Sequence, residues 1–503
     1  MLPRTRAEAT GYEFTSLHAD VMEFLAALDT RGDRRLHLTS VGTSLQGRDL
    51  PLVVLSAHGA KSPAEARALG LPVVLWMCGI HPGEVEGKEA GLMLARDLLA
   101  GPDADLLAQA TVVLLPLFNP DGNDAIDPGN RRLHLPGLRG QLGPDSGVGT
   151  RVTAAEINLN RDYLRASADE MRLWHARVWQ AWQPDLTVDN HATNGSVHRF
   201  AMTYDVPHTV ASGRPEPIAY MRERLLPAVC AAVKSRSGFD SGWYGNFVED
   251  ERCLDGKVDA DPHAEATEGW MTYPHHPRFG SNYRGLCGRM DLLLEAYAYI
   301  PFAERVRAAY AWMLEVLRYV AEHGREVCNL VADCRTPPER VAVRYELRAW
   351  DQPIDILTRA PRSLDGAPTS VRLPHLGRFV GSRVVERPRA YAVPPRVAAA
   401  LRLHGLAMES IETPVEVDVP IVESLGTTGG RAILEASAVG DMTVSWRHAT
   451  RTPAAGWCRV DTAQPHGAVA VYLCEPESDD GPIENGLVEA VPVGHELPVW
   501  RMV

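Results

Sequence analysis

The chain has 503 residues, 45% of them hydrophobic and 23% charged, the balance of an ordinary globular protein with room for two or three domains. A net charge of −13 argues against a nucleic-acid partner. No apolar run of about 18 residues occurs, so no membrane span is expected. The polar stretch Met1 to Glu13 lacks a signal-peptide core, and the eight cysteines are scattered without a Cys-x-x-Cys. We expect a cytoplasmic protein in a reducing compartment, with a Cys328–Cys334 bridge left open.

In chain order, Leu17, Val21, Phe24, Leu25 and Leu28 fall on one face of a helix over 14–29. Leu36 to Ser40 and Leu50 to Ser56 read as strands around a Gly-rich turn. Val73 to Met77 is an apolar run, a buried strand that ends before Gly79, His81 and Glu84. Val85 to Leu99 then has helical spacing. Thr111 to Phe118 reads as a strand closing in Asn119-Pro-Asp-Gly122, taken as a turn with glycine at the positive-φ position. Residues 123–155 form a long loop containing Arg131, Arg132 and His134.

Asn160 and Arg161 precede a helix over roughly 167–182. Leu186 to Val188 is a short strand with His191 just beyond it, and Ile218 to Val233 is helical. Residues 236–285 are irregular and contain Tyr273, His275, His276 and Tyr283. Met290 to Leu294 is an apolar strand with Glu295 as its last residue, followed by a helix over 302–322. After about residue 335 short strands take over, at Val341 to Leu347, Thr369 to Leu373, Ile411 to Ile421, Met442 to Trp446 and Ala468 to Cys474, with one helix from Pro395 to His404. The pattern predicts an α/β domain, residues 1–335, with a mixed, mostly parallel sheet flanked by helices. A smaller β-rich accessory domain, 336–503, follows, with the boundary near Thr336-Pro-Pro338.

His81 and Glu84, Asn160 and Arg161, His191 and Glu295 all sit at or near strand ends. Strand ends converge at one edge of an α/β sheet. Two histidines and a glutamate, a close pair plus a distant third, suit a catalytic zinc with one open position. A lone His-x-x-Glu is common on surface loops, and His191 by itself reads as a loop histidine. Arg131 and Arg132 read equally well as a solvated pair. His275 and His276 read as loop lining, and Tyr273 and Tyr283 as packing residues.

Together the motifs resemble the zinc carboxypeptidases of the funnelin type, over roughly residues 14–322. The resemblance rests on Gly42-Thr-Ser-Leu-Gln-Gly-Arg48, His81-Pro-Gly-Glu84, Asn119-Pro-Asp-Gly122, Asn160-Arg161, His191 and the segment from Leu294-Glu295 onward. It implies one zinc ion per chain on His81, Glu84 and His191, with Glu295 as general base. It also implies Asn160 and Arg161 as a clamp for a substrate carboxylate and a capping tyrosine at Tyr273 or Tyr283. The family's oxyanion arginine falls by gapless count on His134, which leaves the role to Arg131 or Arg132. Asn158 stands where the family often has an acid that orients a zinc histidine. The tail, with Arg389-Ala-Tyr-Ala-Val-Pro-Pro and Glu475-Pro-Glu-Ser-Asp-Asp-Gly481, resembles an accessory domain of some bacterial members.

The expected activity is therefore release of a C-terminal residue from a peptide or peptide-like small molecule, with no nucleic-acid or membrane partner. Two alternatives stand beside it. One is an amidase or deacylase of N-acyl amino acids on the same zinc site. The other is an inactive peptide-binding module.

Overall fold

A computed structural model describes residues 2–251, 268–425 and 442–503. Helix α1 (His18–Asp29) buries Val21, Phe24, Leu25 and Leu28, the face its spacing dictates. Strands β1 (Leu36–Thr43) and β2 (Asp49–Leu55) pair antiparallel. Strand β3 (Val73–Met77) is buried at every position and leads into helix α2 (Glu86–Ala100). Strand β4 (Thr111–Leu115) is followed by the short helix α3 (Pro120–Asp124). Helical residues 169–182 lead to β5 (Leu186–Thr193). Next come β6 (Met202–Asp205), a helical stretch over 215–237, β7 (Ser241–Trp243), β8 (Asn246–Phe247) and β9 (Trp270–Met271). Helix α4 (Gly280–Leu286), strand β10 (Met290–Tyr297) and helix α5 (Phe302–Asp333) close this part.

The central sheet runs β1-β2-β4-β3-β5-β10-β6-β7. Its middle strands β4, β3, β5 and β10 are parallel, with β1, β2 and β6 antiparallel to their inner neighbours. Parallel strands need cover on both faces, and alternation along the strands supplies apolar side chains to each. Val74 and Trp76 of β3 join one core with α2 and α5. Val73, Leu75 and Met77 join another with Trp174, Val178 and Trp179.

That second core also contains Tyr391, Val397, Leu401 and Tyr472 from the C-terminal part. This part comprises β11 (Arg340–Ala349), β12 (Ile354–Ala360), β13 (Ala367–Leu373), β14 (His375–Glu386), β15 (Ala390–Val393) and helix α6 (Pro395–Leu403). It continues with β16 (Glu409–Ser410), β17 (Val415–Leu425), β18 (Met442–Arg451), β19 (Cys458–Asp461), helix α7 (Gly467–Cys474) and β20 (Trp500–Met502). One sheet runs β16-β19-β15-β20-β17-β18, and another runs β11-β14-β9-β8. The second takes strands from both sides of residue 335, since β9 pairs parallel with β14.

Four expectations need correcting. Asn119-Pro-Asp-Gly122 is not a reverse turn. Asn119 caps α3 by accepting from Gly122 N at 2.9 Å, and Pro120 stands in the helix's first turn. Gly122 is needed for space instead, because a Cβ there would lie 2.6 Å from Val152 O. His191 and Glu295 lie inside β5 and β10 rather than at their ends, because pairing between these strands carries on through Thr193 and Tyr297. Ala468 to Cys474 is helix, not strand. A wholly apolar run suits either state, and here all of α7 is buried, so packing decides. The last helix of the first part runs to Asp333, well past 322, along its continuing apolar stripe. Cys328 and Cys334 are both free thiols. Residues 252–267 of the irregular stretch lie outside the described residues. Among those described, no helix is long and apolar enough to cross a membrane.

Candidate active site

Beyond β3, Gly79 adopts φ +67, which a β-carbon would strain, and its carbonyl accepts from Asn119 N at 3.1 Å. The chain turns there, and Glu84 N donates to His81 O at 2.8 Å. That turn sets His81 and Glu84 side by side just before α2. His191 arrives from the adjacent strand β5.

The three side chains meet in the interior, each under 5% exposed. His191 Nδ1 lies 3.2 Å from His81 Nδ1 and 3.0 Å from Glu84 Oε2, and His81 Nδ1 lies 3.3 Å from that same oxygen. Ala192 N also donates to Glu84 Oε2, at 3.1 Å. Two imidazole nitrogens and a carboxylate oxygen thus face one point, a donor set that suits zinc. The far sides of the rings fit the same use. His81 Nε2 donates to Asn158 Oδ1 at 3.1 Å, which fixes its proton there and leaves Nδ1 with a lone pair. Asn158 therefore orients the ring without adding charge. His191 Nε2 faces Asp189 Oδ1 at 3.2 Å, which favours the same tautomer. Asp189 is itself held by the fully buried Arg284, which also bonds Asp291 and Tyr163.

The electrostatics follow from burial and these neighbours. Burial, with Arg151 nearby, pushes the His81 pKa down to about 3. Burial would lower His191 too, but Asp189 and Glu84 outweigh it and raise it well above its usual value. Burial opposes ionisation of Glu84, yet His81, His191 and Arg131 hold it well below the carboxylate range. Glu295 pairs with His191 across β10 and β5, so both side chains project from the same face of the sheet. Burial raises its pKa to about 8, Glu84 adds to this, and His191 opposes it.

The loop arginines separate. Arg131 takes φ +50 and donates to Glu84 Oε1 at 3.1 Å, to Ala192 O at 2.9 Å and to Gln141 Oε1 at 2.7 Å. It comes this close because residue 83 is glycine: a Cβ there would meet Arg131 Cδ at 2.7 Å. Arg132 and His134 are exposed, and His134 Nδ1 accepts from Gly137 N at 3.0 Å. Arg151, later in the same loop, reaches His81 Nδ1 at 3.1 Å and Glu84 Oε1 at 3.3 Å with its side chain 46% exposed. Sequence reasoning passed over Arg151, Asp189 and Arg284. The first is brought in only by loop closure. Asp189 had a signal, since it shares the face of β5 with His191 two residues on.

Asn160 Oδ1 accepts from Gly280 N at 2.9 Å, and the Arg161 guanidinium lies 3.7 Å over the Phe279 ring. Tyr273 is half-buried; its hydroxyl donates to Val206 O at 3.3 Å and its ring packs on His208. Tyr283 is fully buried among Tyr163, Trp174 and Trp179, with its hydroxyl on His404 Nδ1 at 2.9 Å. It belongs to the core, so the structure does not bring Tyr283 to the substrate side. The apolar neighbours that make it core come from distant segments, which local context does not show.

Residues 21–193 match the sequence profile of the zinc carboxypeptidase family. Over those residues the chain is similar to the zinc carboxypeptidases, which supports a zinc hydrolase. Three solved structures are similar at low identity. A metallo-carboxypeptidase from Pseudomonas aeruginosa is 18% identical over 61% of this chain and 68% of its own, with TM-score 0.40. One from Burkholderia cenocepacia is 17% identical over 61% and 69%, with TM-score 0.39. Carboxypeptidase A from Helicoverpa armigera is 14% identical over 61% and 74%, with TM-score 0.38. No curated protein matches in sequence.

Proposed function

We propose that the protein is a metallocarboxypeptidase that removes the C-terminal residue of a peptide or peptide-like molecule. The observation that carries this reading is the buried convergence of His81, Glu84 and His191 beside Glu295, in a chain similar to the zinc carboxypeptidases. His81 Nδ1, His191 Nδ1 and Glu84 would hold one zinc ion. When bound, zinc supplies a Lewis acid that polarises the scissile carbonyl and acidifies water.

The chain's own residues do the rest. Glu295 takes a proton from the attacking water and delivers it to the leaving amine. Its raised pKa makes it a strong base once ionised, and a nearby cation favours ionisation. Arg131 is fully engaged and holds Glu84 in place. Arg151, half-exposed on its loop, is better placed to meet the developing oxyanion. Arg161, backed by Phe279, with Asn160 receives the free carboxylate that defines a C-terminal substrate. Residues 336–503 serve as an accessory unit packed on the second face of the sheet.

The test is metal analysis followed by a substrate panel. We expect close to one zinc per chain, and release of the last residue from free peptides but not from their C-terminal amides. Turnover confined to N-acyl amino acids would replace this reading with a deacylase. A zinc-free chain after metal loading would remove both.

A further inference from the structure

We propose that the acidic turn 475–485 of the C-terminal part is a working piece of the substrate cleft. Asp479 and Asp480 position the segment that carries the carboxylate clamp, and Glu484 forms part of the wall. The inference rests on the carboxypeptidase reading above.

The turn is first fixed to its own side. Glu475 bonds Arg501 and Tyr391, and Glu477 pairs with Arg383. Asp479 N donates to Val343 O at 3.0 Å, and Asn485 Nδ2 donates to Asp480 O at 2.7 Å. The next two acids reach across. Asp480 accepts from the Arg278 guanidinium at 2.7 Å and from Arg278 N at 3.0 Å. Asp479 meets His275 Nε2 at 2.6 Å and accepts from the Tyr472 hydroxyl at 2.6 Å. Arg278 and Asp480 are both buried, where an unpaired charge is costly, so the pair fixes its backbone firmly.

The residues just after Arg278 are Phe279, which lies under Arg161, and Gly280, whose N–H bonds Asn160. Both members of the clamp thus rest on a segment pinned by the C-terminal turn. Beside them a cleft is lined by Asn158, Arg161, Arg165, Arg278, Glu484 and Asn485. His275, His276 and Asp479 also lie close enough together to hold a cation. Both Asp479 oxygens are taken, however, and Arg161 and Arg278 place positive charge near His276, so positioning is the role the geometry favours.

The experiment compares binding of a peptide with a free C-terminal carboxylate against its C-terminal amide. The host is the full zinc-loaded chain carrying Glu295→Gln, with and without Asp480→Asn. The parent should prefer the carboxylate by about tenfold or more, and Asp480→Asn should cut that preference to about threefold or less at unchanged zinc content. A preference left intact in a folded, zinc-replete Asp480→Asn chain overturns the proposal. A parent with no preference overturns the carboxypeptidase reading itself, and the proposal with it. Should Asp480→Asn not fold, Arg278→Lys keeps the charge but withdraws the guanidinium from Asp480, and must show the same loss. Glu484→Gln should move side-chain preference toward anionic C-terminal residues; no movement takes Glu484 out of the wall.

Discussion

His81, Glu84 and His191 are held by the turns and strands of one sheet edge, while Asn160 and Arg161 lean on Phe279 and Gly280. The segment carrying those two residues is tied to Asp480, 202 positions beyond Arg278. At the metal end, backbone ladders do most of the positioning, while side chains set the tautomers and Arg131 holds Glu84. At the clamp end, buried ion pairs between distant segments do it. On the proposed function, the contrast rests the chemistry and the recognition of one site on different parts of a chain. The first should tolerate changes in the C-terminal part, and the second should not.

Removing the metal gives the largest expected effect. His191→Ala should abolish zinc binding and activity together, read by metal content and turnover. In the unaltered chain, zinc at a thousandfold excess over its Kd should add about 4 kcal/mol of stability, read by thermal unfolding. Equal unfolding temperatures with and without zinc would break the comparison at its metal end.

Glu295→Gln comes next. It should lower kcat by about 10³-fold while zinc stays bound, since it removes a proton carrier and not a ligand. Retained turnover would move the base elsewhere. Smaller still are the ring-orienting partners. Asn158→Ala and Asp189→Asn should each weaken zinc binding by roughly 10- to 100-fold. Titration against a competing chelator would show whether charged Asp189 matters more than neutral Asn158.

The smallest effect sharpens the clamp end. Burial raises the Glu484 pKa from its usual 4.5 to about 7. The folded chain therefore holds this proton longer than the unfolded one, so its stabilising share is full below pH 4.5 and is lost as pH rises through 7. The unfolding temperature of Glu484→Gln relative to the parent should rise by about a degree or two between pH 5 and 8. A flat difference would place Glu484 in solvent.

The metal end was legible because its signals are local. An apolar run, a glycine and His-x-x-Glu lie within a dozen residues, and Glu295 follows the apolar Leu292 to Leu294, while His191 follows only the short stretch Leu186 to Val188. The loop hid Arg151, since nothing along 123–155 says which arginine folds inward. Tyr283 is the packing residue its own reading gave, and only the resemblance offered it as a cap; its surroundings in sequence are polar while its surroundings in space are tryptophans. Ala468 to Cys474 misled because an apolar run carries no period when every side is buried.

By itself, then, the sequence determined that the first part is an α/β sheet, and which strands and turns carry the residues able to hold zinc, because strand and turn patterns are written in neighbouring residues. Only the tertiary structure decided which arginines face the site, and that residues 475–485 tie down the segment on which Asn160 and Arg161 rest. Those choices depend on polar contacts between segments far apart in the chain, from Arg131 with Glu84, 47 positions away, to Arg278 with Asp480, 202 positions away, whose partners no local pattern names.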